Sequence, residues 1–468
     1  MKLTTLILVV AGLGCNILAA PTIDPALIKN LKEKGTQTIL ISFKASNTAG
    51  IRNSLVFPEA ATRQQRASVI YNVLKSHADE TQGNVLEMLS KHQSSRPFTV
   101  RQFWITNQVA VKKADLELVQ KLLKIDDISR IEEDRIVPMH TPVEEIFPLK
   151  GSVPQEGDQW GVEIINASAV WADGIRGAGV VIANIDTGVR GTHEAVRDGY
   201  RSQNGWYDPM TGFQVPTDAN GHGTHTMGTI LGRTYGIGVA PEAKWIACKA
   251  CDGGCPRVDL IDCGQWVVCP TELDGSSNPR CDLGPSAVSN SWGGGIEDDW
   301  YDDVIATWIK AGMVPLFSAG NSGPLCSTAN SPADSDLAIA VGSTTSSNWV
   351  STFSSVGPTY TTRRMKPDIA APGSTIYSAN HLADNDYGIK SGTSMACPHA
   401  AGLTALLFSA RPNLTVAQIK QLLIAGAQPT VTTGRNCGGI SEETYPNHHV
   451  GAGRISAKAS VDALRKLP

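Results

Sequence analysis

No cysteine separates Cys15 from Cys248. The first half of the chain therefore has no cross-links of its own and must bury apolar side chains to fold. Charge of either sign is not in excess: 40 Lys and Arg stand against 44 Asp and Glu. No dense basic block occurs, which removes the electrostatic footprint of a nucleic-acid binder. After the run at 6–13, no apolar stretch is long enough to cross a bilayer, so no membrane partner is expected. Internal repeats and low-complexity tracts are also missing.

The first 20 residues are of a different kind. Lys2 gives a positive start, 6–13 is apolar, and Ala19 and Ala20 are small residues beside a cut, the pattern of an export signal. Pro21 makes a cut directly after Ala20 awkward. Export places the chain outside the cell, in an oxidising compartment. Ten cysteines occur and Cys15 leaves with the signal, so nine remain. An odd number leaves at least one unpaired, and Cys397, in the first turn of an apolar helix, is the candidate. The other eight would make four disulfides. The spacing of Cys248, Cys251, Cys255, Cys263, Cys269 and Cys281 also admits zinc, but an exported loop favours cross-links.

Two textures follow. Residues 38–137 are charged, poor in glycine and periodic. The pattern predicts a strand at 38–45, a helix at 65–91, strand at 98–114 broken near Asn107, a helix at 114–123 and a closing strand at 128–137. That order is a small split βαβ, or ferredoxin-like, domain. Residues 138–159 are rich in Pro and Glu and read as a linker, the natural place for a cut. From Trp160 on, short apolar strands alternate with glycine turns and helices. Strands are expected at 179–188, 245–250, 287–293, 313–320 and 338–344, with a helix at 299–310. This alternation predicts an α/β fold: a mostly parallel sheet with helices on both faces.

Four residues in this second part suggest chemistry. Asp186 ends an apolar strand in ANIDTG, His222 lies in GHGTHT, and Ser394 lies in SGTSMACPHAAG. Asn321 lies between them in FSAGNSGP. An acid, a base, a hydroxyl and an amide donor are what acyl transfer by a serine nucleophile needs. Each has a purely structural alternative: an Asx turn for Asp186, packing for His222, an N-cap for Ser394. His225 competes as base and would make a metal pair with His222. But HGTH lacks the glutamate of HExxH, and its histidines are three apart rather than four. Asp186, Ser291 and Asn321 fall at carboxyl ends of strands, where open α/β sheets bind ligands. Two sequons, at Asn166 and Asn413, are glycosylation acceptors in a cell that glycosylates.

With ANIDTG, GHGTHTMGT and SGTSMACPHAAG in that order and SAGNSGP between, the chain resembles the subtilisin family of serine proteases, in its bacillopeptidase-F-like branch. The resemblance runs from about Trp160 to Leu464. It implies a triad of Asp186, His222 and Ser394 with Asn321 as oxyanion donor. It implies a cleft lined by Ser291, Trp292, Gly293 and Gly294 on one side and Ser318, Ala319 and Gly320 on the other, with a broad or apolar P1 preference. Residues 21–137 resemble the family's propeptide, an intramolecular chaperone and inhibitor removed by self-cleavage within 138–159. Residues 160–468 would then be the catalytic domain, with 249–285 a cysteine-bearing insertion. The expected partners are protein and peptide substrates and the chain's own propeptide, in a monomer. The chemistry implies no cofactor; a structural calcium ion built from loops is an expectation without an assigned site. The alternatives are an inactive binding protein on this fold and a secreted serine esterase, which would carry Gly-x-Ser-x-Gly with its partners after the serine.

Overall fold

A computed structural model of the chain describes residues 20–93, 97–140 and 157–468. The export signal expected over 1–20 lies, but for its last residue, outside the described residues, and so does most of the linker expected over 138–159.

The N-terminal unit runs through Thr22–Ile23 (β1), Pro25–Lys34 (α1), Thr36–Phe43 (β2), Thr48–Ser54 (α2), Arg63–Gln93 (α3), Thr99–Phe103 (β3), Gln108–Asp115 (β4), Leu116–Leu122 (α4) and Ile128–Glu133 (β5). Its five-stranded sheet has the order β1-β5-β2-β4-β3. Strands β2 to β5 pair antiparallel, so the expected β-α-β-β-α-β arrangement forms. The turn between β3 and β4 contains Asn107 at φ 50°, a left-handed position that asparagine tolerates. Helix α1 was not expected, although its start is marked: the Asp24 side chain caps Ala26 N–H and proline occupies the first turn.

Helix α3 buries Ala67, Ile70, Leu74, Ala78, Gln82, Val85 and Leu89, spaced three or four apart. That stripe serves two cores. Val85 and Leu89 pack into the unit's own core with Ile39, Ile41 and Val111. Ala67, Ile70 and Leu74 belong to a second core that they share with the following domain.

The expected strand over 128–137 is broken. After β5 the chain leaves its own sheet at Asp134, and Ile136–Val137 (β6) pairs antiparallel with Cys255–Pro256 (β10) of the larger domain. Strand periodicity does not show which neighbour supplies the ladder, so the crossing was not legible.

The larger domain continues with Trp160–Ile164 (α5), Ala167–Trp171 (α6), Val181–Asp186 (β7), Trp206–Tyr207 (β8), His222–Leu231 (α7), Lys244–Lys249 (β9), β10 and Arg257–Val268 (α8). Then come Ala287–Asn290 (β11), Asp302–Ala311 (α9), Val314–Ser318 (β12), Ile339–Thr344 (β13), Ile369–Pro372 (β14), Ile376–Ala379 (β15), Tyr387–Lys390 (β16), Thr393–Ala410 (α10) and Val416–Ala425 (α11). Seven parallel strands form the sheet β14-β13-β12-β11-β7-β9-β8. Both faces are covered. Ile182, Leu316 and Val341 pack with α7 and α10, while Ile185, Phe317 and Ala340 pack with α8 and α9. This is why the strands read as unbroken apolar runs rather than as alternation.

Eight cysteines form four disulfides: Cys248–Cys263, Cys251–Cys255, Cys269–Cys281 and Cys326–Cys437. Cys397 is free and buried. The segment 249–285 is more than a surface insertion, because it contains β10 and the buried helix α8. Among the described residues, no helix is long and apolar enough to cross a membrane.

Candidate active site

Asp186 is the last residue of β7 and His222 the first of α7. The parallel sheet and the glycine turn at Gly221, φ 90°, bring them together. His222 Nδ1 lies 2.7 Å from Asp186 Oδ1, with both side chains almost fully buried. A carboxylate only accepts, so Nδ1 carries the proton and Nε2 is left as the basic end. Nε2 is buried and makes no hydrogen bond.

A second acid organises this corner. Asp218, four residues before His222, accepts from Thr187 Oγ1 at 3.0 Å, Asn220 N at 3.0 Å and Gly221 N at 2.8 Å. Its other oxygen accepts from Thr224 N at 2.9 Å and Thr224 Oγ1 at 2.6 Å. Thr187 Oγ1 in turn accepts from Gly223 N at 2.9 Å. Asp218 thus ties the residue after Asp186 to the turn that carries His222. Sequence reading missed it; an Asp shortly before a glycine turn was the available signal.

His225 points the other way. It is buried, and its Nε2 lies 3.0 Å from the Ile376 carbonyl and 3.1 Å from that of Gly388. Burial, with help from nearby Lys390 and His222, holds its pKa well below the ordinary value. It is a neutral packing histidine. Among the described residues, no group of three or more His, Cys, Asp or Glu side chains is placed to hold a metal ion.

Ser394 is the second residue of α10. Its backbone carbonyl accepts from Ser291 Oγ at 3.1 Å, which fixes the helix start against the end of β11. Its hydroxyl lies 3.1 Å from the His140 carbonyl oxygen and 3.3 Å from that of Ser291. Asn321 is anchored by its side-chain oxygen, which accepts from Thr393 N at 2.9 Å and Thr393 Oγ1 at 2.8 Å. That assigns the other end of the amide as the donor. Cys397, one turn past Ser394, is no rival nucleophile: burial pushes its thiol up to about 12.

Residues 136–140 of the same chain run between β10 and the segment at Trp292, beside the residues expected to line a cleft. On one side β6 lies on β10. On the other, Met139 bridges Trp292 antiparallel, and Gly293 N donates to the Pro138 carbonyl at 3.2 Å. A Cβ on Gly294 would come within 2.6 Å of Pro138. The Trp292 backbone bridges Met139, while its ring is buried and donates to the Ile185 carbonyl at 3.1 Å. Ser318 Oγ lies 2.7 Å from His140 Nδ1. Behind it Ala319 N donates to Val341 O, and Gly320, at φ 109°, donates to Thr393 Oγ1 at 3.2 Å. Asn166 and Asn413 are both exposed.

Residues 177–453 match the model of the subtilase family. The chain is 33% identical over 480 residues to Bacillopeptidase F of Bacillus subtilis (strain 168), an alignment that takes in 94% of this chain and 32% of that protein. It is 32% identical over 332 residues to Subtilisin NAT of Bacillus subtilis subsp. natto, covering 69% of this chain and 76% of the relative. It is 32% identical over 306 residues to Alkaline serine exoprotease A of Vibrio alginolyticus, covering 64% of this chain and 51% of the relative. The chain thus spans about a third of the length of Bacillopeptidase F and about half that of the exoprotease. The family match covers the sheet, the paired Asp186 and His222 and the serine at the start of α10, and the chain belongs to the subtilase family.

Proposed function

We propose that the chain is an exported serine endopeptidase, made as a self-processing zymogen. The carrying observation is the Asp186–His222 pair at the end of β7; Ser394 at a helix start and Asn321, its amide oxygen anchored on Thr393, support the reading. Ser394 Oγ attacks the scissile carbonyl, and His222 Nε2 takes its proton and gives it to the leaving amine. Asp186 holds the imidazole tautomer and stabilises the imidazolium. Asn321 donates to the oxyanion as charge develops there. No cofactor enters these steps, and a bound calcium ion would serve structure alone. One copy carries every group, in keeping with a monomer.

The N-terminal unit as inhibitor is supported by the shared apolar core and by the occupied cleft. Trp104 N donates to Gln265 Oε1 at 3.1 Å, and Arg52 pairs with Asp303 at 2.9 Å across the same contact. The uncharged pocket walls support neutral P1 side chains, apolar ones included. The sequons at Asn166 and Asn413 are reachable for glycosylation. The test is hydrolysis of casein by the processed protein. It should be blocked by a covalent serine reagent and abolished by Ser394→Ala. Retained hydrolysis in that variant would overturn the proposal. An esterase would instead cleave aryl esters but leave casein intact, and an inactive binding protein would do neither.

A further inference from the structure

We propose that the chain cuts itself at the peptide bond following His140, and that the pocket receiving His140 selects neutral side chains that can hydrogen-bond, histidine foremost. The inference rests on the serine-protease reading above and names its first substrate.

The register carries it. Residues 136–140 are held between two strands, with Val137 opposite Cys255 and Ile136 opposite Pro256 on one side, and Met139 opposite Trp292 on the other. A slip of one residue would turn every side chain to the opposite face, so pairing at Ile136, Val137 and Met139 defines which residue meets the nucleophile. That residue is His140, whose carbonyl oxygen is 3.1 Å from Ser394 Oγ.

The pocket explains the side chain. His140 is 5% exposed. Its Nδ1 meets Ser318 Oγ at 2.7 Å, and a Cβ on Gly293 would come within 3.0 Å of its Nε2 and Cε1. The glycine therefore leaves the space that the imidazole fills. Ser318, Gly293 and the Ser331 carbonyl behind Gly293 bring no charge to pair with a Lys, Arg, Asp or Glu side chain. An unpaired charge buried there would be strongly disfavoured. The ring accordingly stays neutral: burial, and then the nearness of His222, bring its pKa down to about 3.

The step balances. Ser394 Oγ bonds to the His140 carbonyl carbon as His222 takes the hydroxyl proton. The C–N bond to residue 141 breaks, and His222 delivers that proton to the leaving amine. Water then cleaves the ester, leaving a carboxylate on His140 and regenerating Ser394.

The full chain should be expressed, and the intact mass and N-terminal sequence of its products compared with those of Ser394→Ala. The expected result is a mature protein beginning at residue 141, a fragment ending at His140, and an uncut variant. A caseinolytic product beginning elsewhere would sink the site assignment and leave the protease reading standing. An uncut chain without hydrolysis would sink both. Cutting after His140 in Ser394→Ala would show that another enzyme makes the cut. The pocket is tested separately on the processed enzyme with Val-Pro-Met-X coumarylamides. X = His should exceed X = Glu and X = Lys at least tenfold in kcat/KM. Ser318→Ala should lower kcat/KM for His more than for Phe, and so narrow the gap between them. Equal turnover of Lys, Glu and His would overturn the pocket assignment.

Discussion

His222 Nδ1 lies 2.7 Å from Asp186 Oδ1, and the same carboxylate oxygen accepts the backbone N–H of Thr187 at 2.7 Å. The acid is thus oriented by its own turn before it orients the histidine. Asp186→Asn keeps the shape but offers an amide, which favours the wrong imidazole tautomer. The expected loss in kcat is about 10⁴-fold, with little change in thermal midpoint. A kinetic assay beside a melting curve checks both.

Asn321 should act only when charge develops on the substrate oxygen. In subtilisin, removing the corresponding kind of donor costs about 10²–10³ in kcat, and a loss of that size is expected here for Asn321→Ala. KM should hardly move, since the ground-state carbonyl uses the donor weakly. A large rise in KM with unchanged kcat would mean that Asn321 binds substrate rather than the transition state.

Asp218 is 8% exposed and accepts from donors on both active-site turns. Replacing it with Asn turns an NH₂ group toward some of those donors. The expected cost is about 3 kcal/mol of stability, read by denaturant unfolding of the processed protein. A positioning role further requires that kcat fall and the acid limb of the pH–kcat profile shift, because the His222 turn is displaced. A stability loss with an unaltered profile would leave Asp218 a structural brace only.

The contact between the N-terminal unit and the larger domain should weaken as pH rises. Asp134 is raised to about 7, mainly by burial, and Asp259 to about 6, where burial outweighs its pairing with Lys112 at 2.6 Å. Asp262 beside Arg101 is shifted the same way by burial. A raised carboxylate favours the protonated, docked state. That stabilisation is complete below the ordinary carboxylate range near 4 and is lost as pH passes through about 6 to 7. Dissociation of the cleaved N-terminal fragment should be about tenfold or more faster at pH 8 than at pH 5. Asp134→Asn should flatten the dependence. A fragment that leaves faster at pH 5 would contradict the sign.

Cys326 and Cys437 join positions 111 residues apart, the longest loop closed by a disulfide among the described residues. Replacing both with serine removes a constraint on the unfolded chain worth about 5 kcal/mol in the loop-entropy model. Unfolding of the processed protein measures it. The shorter Cys251–Cys255 link, closing 4 residues, should cost less when removed, but it supports the strand that meets residues 136–137. Its loss should therefore show in KM.

Much of this molecule could be read along the chain. The buried strands β7, β9, β11, β12 and β13 are short apolar runs, because a parallel sheet covered on both faces asks nothing polar of them. Asp186, His222 and Ser394 stood out because each sits where a glycine-rich turn adjoins an apolar element. Helix α3 was visible in its spacing, and the free cysteine in the parity of the count. Such features are local, since backbone conformation and side-chain periodicity act over a few residues.

Contacts across long separations were decided only in three dimensions. The pairing of cysteines, the use of Asp218 and the burial of α8 depend on which elements become neighbours. So does the meeting of Ser394 with His140, 254 residues apart. The short strand β6 carries two residues whose pattern fits either sheet; it pairs with β10, and Met139 beyond it bridges Trp292. Sequence determined what each segment could form. Tertiary structure decided what it formed it with, because hydrogen-bond donors and apolar faces are satisfied by whatever the fold brings within reach.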